Sequence, residues 1–267
     1  AGQASGSVAV RLRDDGLPEG FDARFDFSRL QSRKGGLWGQ EVVYENTSVA
    51  FGLSLQPFEL KLHSASLGYQ DALFEVSGAL KGGKNGWSYQ LDGTLPRLKH
   101  RQLVDLWPQG RSEKARLWLD RNISNAVYSD ASMHLTAAPG QRADFGFTAD
   151  IAEAQIQYAP GMTPGEGVSG RVTLDAKRLV AEVSEGMIYT SEGVGIDAAG
   201  TVFSVEDVSD KAGNAVVQLN GRGPLSAVMT LLEQIPGLAA DETDLVNLAE
   251  GQAEFAGGLA FPIGRKP

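Results

Sequence analysis

Residues 21 to 28 read Phe-Asp-Ala-Arg-Phe-Asp-Phe-Ser, with an apolar side chain at every second position. Successive side chains of an extended strand point to opposite faces. A β-strand therefore gathers Phe21, Ala23, Phe25 and Phe27 on one side and Asp22, Arg24, Asp26 and Ser28 on the other, and a helix cannot. The pattern returns at Val49, Phe51, Leu53 and Leu55, which alternate with Ala50, Gly52 and Ser54. Phe58, Leu60 and Leu62 then oppose Glu59, Lys61 and His63. Phe74, Val76 and Leu80 share a face, and after the turn Gly82-Gly83-Lys84-Asn85-Gly86 come Trp87, Tyr89, Leu91 and Leu95. Residues 1–97 therefore read as an antiparallel meander.

Between residues 98 and 126 the period changes. Leu98, Leu103, Leu106 and Trp107, then Ala115, Trp118, Leu119 and Ile123, fall at helical spacings. Pro108 and Gly110 divide the stretch into two short helices, and Ser112 suits the cap of the second. Alternation resumes over 127–267: Ala131, Met133 and Leu135; Phe145, Phe147, Ala149 and Ile151; Val168, Val172 and Leu174; Leu179, Ala181 and Val183; Val194 and Ile196; Ala215, Val217 and Leu219. A third helix is expected over about 224 to 235. There Pro224 opens the first turn and Leu225, Val228, Met229, Leu232 and Ile235 make a stripe before Pro236-Gly237. Ala253, Phe255, Leu259 and Phe261 close the chain as a strand. The fold expected is mainly β, with two meanders and about three short helices in one continuous unit.

Composition removes whole classes of function. The 267 residues are 42% hydrophobic, enough for a sizeable core, while 33 glycines and 8% aromatics suit many strands and tight turns. A formal charge of −9 without runs of Lys or Arg argues against nucleic acid and against adsorption to anionic membrane surfaces. Without cysteine there is no disulfide framework, thiolate metal site or thiol nucleophile, which suits an oxidising compartment. No stretch approaches the roughly 18 apolar residues of a spanning helix. Ala1-Gly2-Gln3 carries neither an initiator Met nor a signal peptide, so the chain reads as an internal segment whose anchor lies elsewhere.

Motifs for chemistry are missing or incomplete. Gly165-Glu166-Gly167-Val168-Ser169-Gly170 has the letters of a dinucleotide fingerprint, but Arg171 to Asp175 continues it as a strand where a helix is required. His63, His100 and His134 have no metal-ligand spacing and look like ordinary surface or edge positions. There is no G-x-S-x-G elbow. The acidic groups Glu206-Asp207-Asp210 and Asp241-Glu242-Asp244 lack calcium-loop spacing and read as solvated turns. Asn46-Thr47-Ser48 and Asn122-Ile123-Ser124 are glycosylation sequons by letter only. Trp38, Trp87, Trp107 and Trp118 are assigned to a turn, a strand and helices, leaving no aromatic cleft with paired carboxylates for a carbohydrate-active enzyme. No catalysis, metal or cofactor is expected.

Any single apolar stripe has an ordinary use, packing on a second sheet or a helix. Yet three short helices are few to cover about a dozen strands. An uncovered apolar face of that extent marks a binding surface.

Particular blocks carry a likeness. Asp105-Leu106-Trp107-Pro108, Ala115-Arg116-Leu117-Trp118-Leu119 and Asn122-Ile123-Ser124 resemble the helical insert of AsmA-like bacterial envelope proteins of the YhdP type. Ile156-Gln157-Tyr158-Ala159-Pro160-Gly161, leading to Gly167-Val168-Ser169-Gly170, resembles the next block, and Gly221-Arg222-Gly223-Pro224-Leu225 another. Order and approximate spacing agree over most of residues 7 to 262. Met162 stands where the family suggests an aromatic, and Asn125 where glycine is common. The resemblance implies a periplasmic section of a protein anchored in the inner membrane of a Gram-negative cell. Its long twisted antiparallel sheet would be curled into an open apolar groove that carries phospholipid between inner and outer membranes. Phe25, Phe27, Val49, Phe51, Leu53, Phe145 and Phe147 are then expected to line the groove, with phospholipid acyl chains as the ligand and edge strands available for self-association. The alternative is an envelope scaffold or interaction module with a closed β-sandwich core.

Overall fold

The computed structural model describes residues 3–33, 36, 40–108, 110, 113–158, 162–210, 213–234 and 251–262, with the backbone alone of Leu232, Phe261 and Pro262. The expectations for Trp38, Ser112, Ala159-Pro160-Gly161, Ile235, Pro236-Gly237 and the acidic group Asp241-Glu242-Asp244 lie outside these residues. The fold is mainly β, an antiparallel sheet of fifteen strands with three helices among the described residues. The strands expected from alternation are present, with Val194 just ahead of its strand, and the structure adds a strand over Val202–Val205 that the alternation does not predict. The chain divides into two compact units, one of Ala1–Leu98, Asp105–Arg111 and Ser129–Thr148, the other of Lys99–Val104, Ser112–Tyr128 and Ala149–Pro267.

In the first unit, β1 (Ala4–Leu12), β2 (Pro18–Gln31), β3 (Val43–Leu55), β4 (Phe58–Tyr69), β5 (Ala72–Gly83) and β6 (Gly86–Lys99) pair in sequence order. Most of β8 (Val127–Ala137) and the start of β9 (Asp144–Ile156) follow. Lys84 and Asn85 form the two-residue hairpin between the paired Gly83 and Gly86, where Gly86 has a φ of 123° that an L side chain seldom adopts. In β4 one extra residue sits between Leu62 and Ala65, so that Leu62 faces Gly78 and Ala65 faces Val76. This bulge resets the alternation. It keeps Ala65 and Leu67 on the face already occupied by Leu60 and Leu62, although the two pairs differ in parity.

The second unit begins with α1 (His100–Asp105), α2 (Glu113–Asn122) and the short β7 (Ile123–Ser124), which pairs with the end of β9. Leu98 and Ile123, expected on helices, sit at the end of β6 and in β7. Asn125 has a φ of 59°, the left-handed conformation that glycine and asparagine tolerate best. The unit continues with β10 (Gly165–Leu174), β11 (Leu179–Tyr189), β12 (Gly195–Asp197), β13 (Val202–Val205), β14 (Asn214–Pro224), α3 (Leu225–Glu233) and β15 (Gln252–Pro262). Pro224 ends the strand and the helix starts one residue later. The glycine run at 165–170 lies wholly within β10, with no helix for a pyrophosphate. In the other solvated turn, the Asp207 carboxylate accepts from Ser209 N at 2.9 Å.

α3 supplies this unit with a core. Ala227, Val228 and Leu231 pack on Ile188 and Ile196, with Met162, Val194, Ala198, Ala253 and Phe255 around them. Gly223 admits this packing: a methyl group there would already lie 3.3 Å from Ile196.

His100, at the N-terminus of α1, shares a hydrogen bond between Nδ1 and the Tyr128 hydroxyl at 2.9 Å, and its Nε2 is buried. Burial lowers the His100 pKa from the ordinary 6.5, against a hydrogen bond to the Leu119 backbone and the charge of Asp120, which raise it, and with Arg101, which lowers it further. Burial also pushes the Tyr128 hydroxyl up to about 12. The folded chain thus binds fewer protons at His100 than the unfolded chain. Its contribution to stability is complete above the unfolded value and is lost as pH falls through 6.5 toward the folded value. Urea midpoints should accordingly drop between about pH 7.5 and about pH 5.5, and His100→Gln should flatten that dependence. An identical slope in the variant would assign the effect to other groups.

Candidate functional site

Directly opposed residues of an antiparallel pair share a face, so the register determines which side chains meet. In the first unit Val10, Phe21, Leu53, Leu60, Leu80 and Tyr89 are successive partners in one row across six strands. A second row runs Val8, Ala23, Phe51, Leu62, Gly78 and Leu91. The third is Gly6, Phe25, Val49, Ala65, Val76 and Gly93. A methyl on Gly93 would lie 2.9 Å from Met133 Cγ, which carries this row onto β8. Phe27 faces Thr47 in the row beyond.

Phe145 and Phe147 join the same surface. A side chain at Gly146 would collide with the His134 ring, and Ser132 Oγ lies 2.9 Å from Thr148 Oγ1. His134, Gly146, Ser132 and Thr148 therefore point one way, and Met133, Phe145 and Phe147 the other. All seven residues picked from the sequence, Phe25, Phe27, Val49, Phe51, Leu53, Phe145 and Phe147, thus lie on one apolar face. Its rings touch: Phe21 meets Phe51 edge-on at 5.9 Å, and Phe25 lies 6.3 Å from both Phe27 and Phe51.

The opposite face is charged. Arg11 pairs with Asp22 and donates from Nη2 to Leu53 O at 3.2 Å. His63 stands 3.7 Å from Asp22, and Lys81 3.3 Å from Glu59. His134 stands 3.7 Å from Asp144. Such exposed pairs add little stability. They identify the solvated side of the sheet. No group of three His, Asp or Glu residues among the described ones is arranged to hold a metal ion.

Burial separates this face from an ordinary core. A globular interior encloses its phenylalanines. Here none of the described phenylalanines is fully buried, and each keeps part of its surface exposed. Among the described residues α2 packs on β7, α3 packs on β12, β14 and β15, and β1 to β5 each pack against their sheet neighbours.

Exposure also grades across the face. At one margin of the strands Tyr44 is 6% exposed and Tyr69 8%, with Ala72 also buried, while Leu30, opposite Tyr44 on the outer strand β2, is 37% exposed. Gln40 donates to Asp105 O at 3.0 Å at this margin, and Leu106 next to it is buried. At the other margin, where the hairpins turn, Leu55 is 44% exposed, Trp87 56% and Val10 61%. The sequence reading missed β1, whose Val8, Val10 and Leu12 alternate with Ser7, Ala9 and Arg11 and were the available signal.

The second unit repeats the pattern. Val172, Ala181, Phe203, Val217 and Leu259 are successive partners across five strands, and apart from the α3 end this row too is half-exposed. Among the described residues no helix is long and apolar enough to cross a membrane. No family model matches the chain, and neither curated proteins nor solved structures give a match.

Proposed function

We propose that this chain is a non-enzymatic section of a bridge-like lipid-transfer protein of the bacterial periplasm, in which an apolar β-groove shields phospholipid acyl chains between inner and outer membranes. The observation that supports the reading is the apolar face of the first unit, whose rows of phenylalanine, leucine and valine run from strand to strand and remain partly exposed. A closed sandwich scaffold would need a second layer over Phe25, Phe51 and Phe147. The periplasmic location and the membrane partners rest on the resemblance to AsmA-like proteins and on the absence of cysteine.

The energetics favour such a surface. Burial of a methylene is worth about 0.8 kcal/mol, so a chain of roughly 16 carbons crossing water would face a cost on the order of 12 kcal/mol. Rows of apolar side chains that continue from strand to strand lower that cost at every step. Bilayer and groove are similarly apolar, and a lipid moves along with little net change. Small residues between the large ones, such as Ala23, Ala65, Gly78 and Gly93, leave furrows between the rings. No nucleotide site is required for sliding of this kind.

A photo-crosslinking residue at Phe51 is expected to form phospholipid adducts in cells, with far fewer at Arg24 on the charged face. Labelling at Phe51 no stronger than at Arg24 would remove the lipid assignment.

A further inference from the structure

We propose that the hairpin margin of the first unit, at Lys84, Trp87 and Arg142, seats the phosphate of a bound diacyl phospholipid, whose acyl chains then run toward the buried margin at Tyr44 and Tyr69. The assignment rests on the lipid reading above and fixes which way the ligand lies across the face. The gradient of exposure supplies the direction. Acyl chains gain most where the face is most enclosed, at Tyr44, Tyr69 and Ala72, and a head group must remain hydrated, at the margin where Leu55 and Trp87 are open.

The side chains at the open margin suit the boundary between hydrocarbon and water. Trp87 lies on the apolar face, edge-on to Phe58 at 5.4 Å and 3.1 Å from where a side chain on Gly82 would begin. A half-wet indole is the residue of choice at such a boundary. The tip of the β5–β6 hairpin carries Lys84 and the turn between β8 and β9 carries Arg142; β6 and β8 are neighbours, and a methyl on Gly86 would lie 3.5 Å from Pro139. The two cations therefore stand on adjacent tips. Both are exposed, and neither has an acidic partner among the described residues. Nearby, Lys81 pairs with Glu59 at 3.3 Å, Arg13 with Asp15 at 3.1 Å, and Asp144 stands beside His134 at 3.7 Å, while the exposed Asp14 lies apart on the β1–β2 turn. In a chain of charge −9, two free cations beside an exposed tryptophan complement a phosphate monoanion.

The test places a photo-crosslinker at Phe51 and offers the full chain either phosphatidylglycerol or headgroup-free diacylglycerol in nonionic micelles. Adducts should favour phosphatidylglycerol by about tenfold, the order expected for two basic side chains near an anionic lipid. Lys84→Glu with Arg142→Glu should abolish the preference while leaving the diacylglycerol adduct unchanged. Lys61→Glu, on the charged face, should leave both unchanged. A full preference in the double variant would overturn the assignment and leave the lipid reading intact. Inorganic phosphate should not compete; if it displaced phosphatidylglycerol, the pair would be a free-anion site and the assignment would fall. No adduct with either lipid would overturn the lipid reading together with this orientation.

Discussion

Serine at both Phe25 and Phe51 is expected to strip most bound lipid from the chain while leaving it folded. In a closed core each such truncation costs about 3–5 kcal/mol, because a cavity remains where the ring was packed. Here each ring already meets solvent on its outer side, and its neighbours are mainly the rings of its own face, 5.9 to 6.3 Å away. The expected loss is about 1 kcal/mol per ring, from the stacking and the part of the area that the sheet itself covers. Lipid occupancy responds differently, since both positions lie at the centre of the rows. Thermal unfolding and lipid occupancy by mass spectrometry, measured on one preparation, check both halves. Unfolding of the double variant would mean that a second layer had enclosed these rings.

Val228→Asp should behave in the opposite manner. Val228 is 3% exposed beneath α3, within the cluster that includes Ile188, Ile196 and Leu231. A carboxylate there must either ionise without a partner or force the helix off the sheet, and the expected cost exceeds about 3 kcal/mol. Hydrogen exchange should register the loss as faster exchange through α3, β12 and the adjoining end of β14. Wild-type protection of those amides in the variant would contradict the packing. Together the two substitutions distinguish an apolar face that is covered from one that is not, using residues of comparable hydrophobicity.

The strands were legible because alternation survives wherever one face is apolar and the other wet. Phe21 to Phe27 and Val49 to Leu53 are the clearest cases, and the register brings both onto one surface. The bulge at residues 63 and 64 was not legible: His63-Ser64 carries no distinctive signal, and only the pairing of Leu62 with Gly78 and Ala65 with Val76 reveals the reset. Edge strand β1 escaped notice because its apolar residues are small and interrupted by Gly6 and Ala9. The helix bounds shifted by a residue or two where Leu98, Ile123 and Pro224 serve strand and helix equally well. The gradient of exposure from Tyr44 to Trp87 depends on which strand ends other segments cover, and local sequence carries no record of that. The seven expected groove residues share one face because they were chosen from the cleanest alternating stripes, and the register keeps those stripes together. Lys84 and Arg142 were not legible, since adjacency of their hairpins follows from β6 lying next to β8, 58 residues apart in sequence at those two positions.

The most direct test of an open, lipid-bearing face is native mass spectrometry of the chain purified from cells without detergent. Masses corresponding to bound diacyl phospholipid, released on mild activation and largely absent from the Phe25→Ser, Phe51→Ser variant, are the expected result. A single lipid-free species, unchanged when purified chain is incubated with phospholipid, would contradict it.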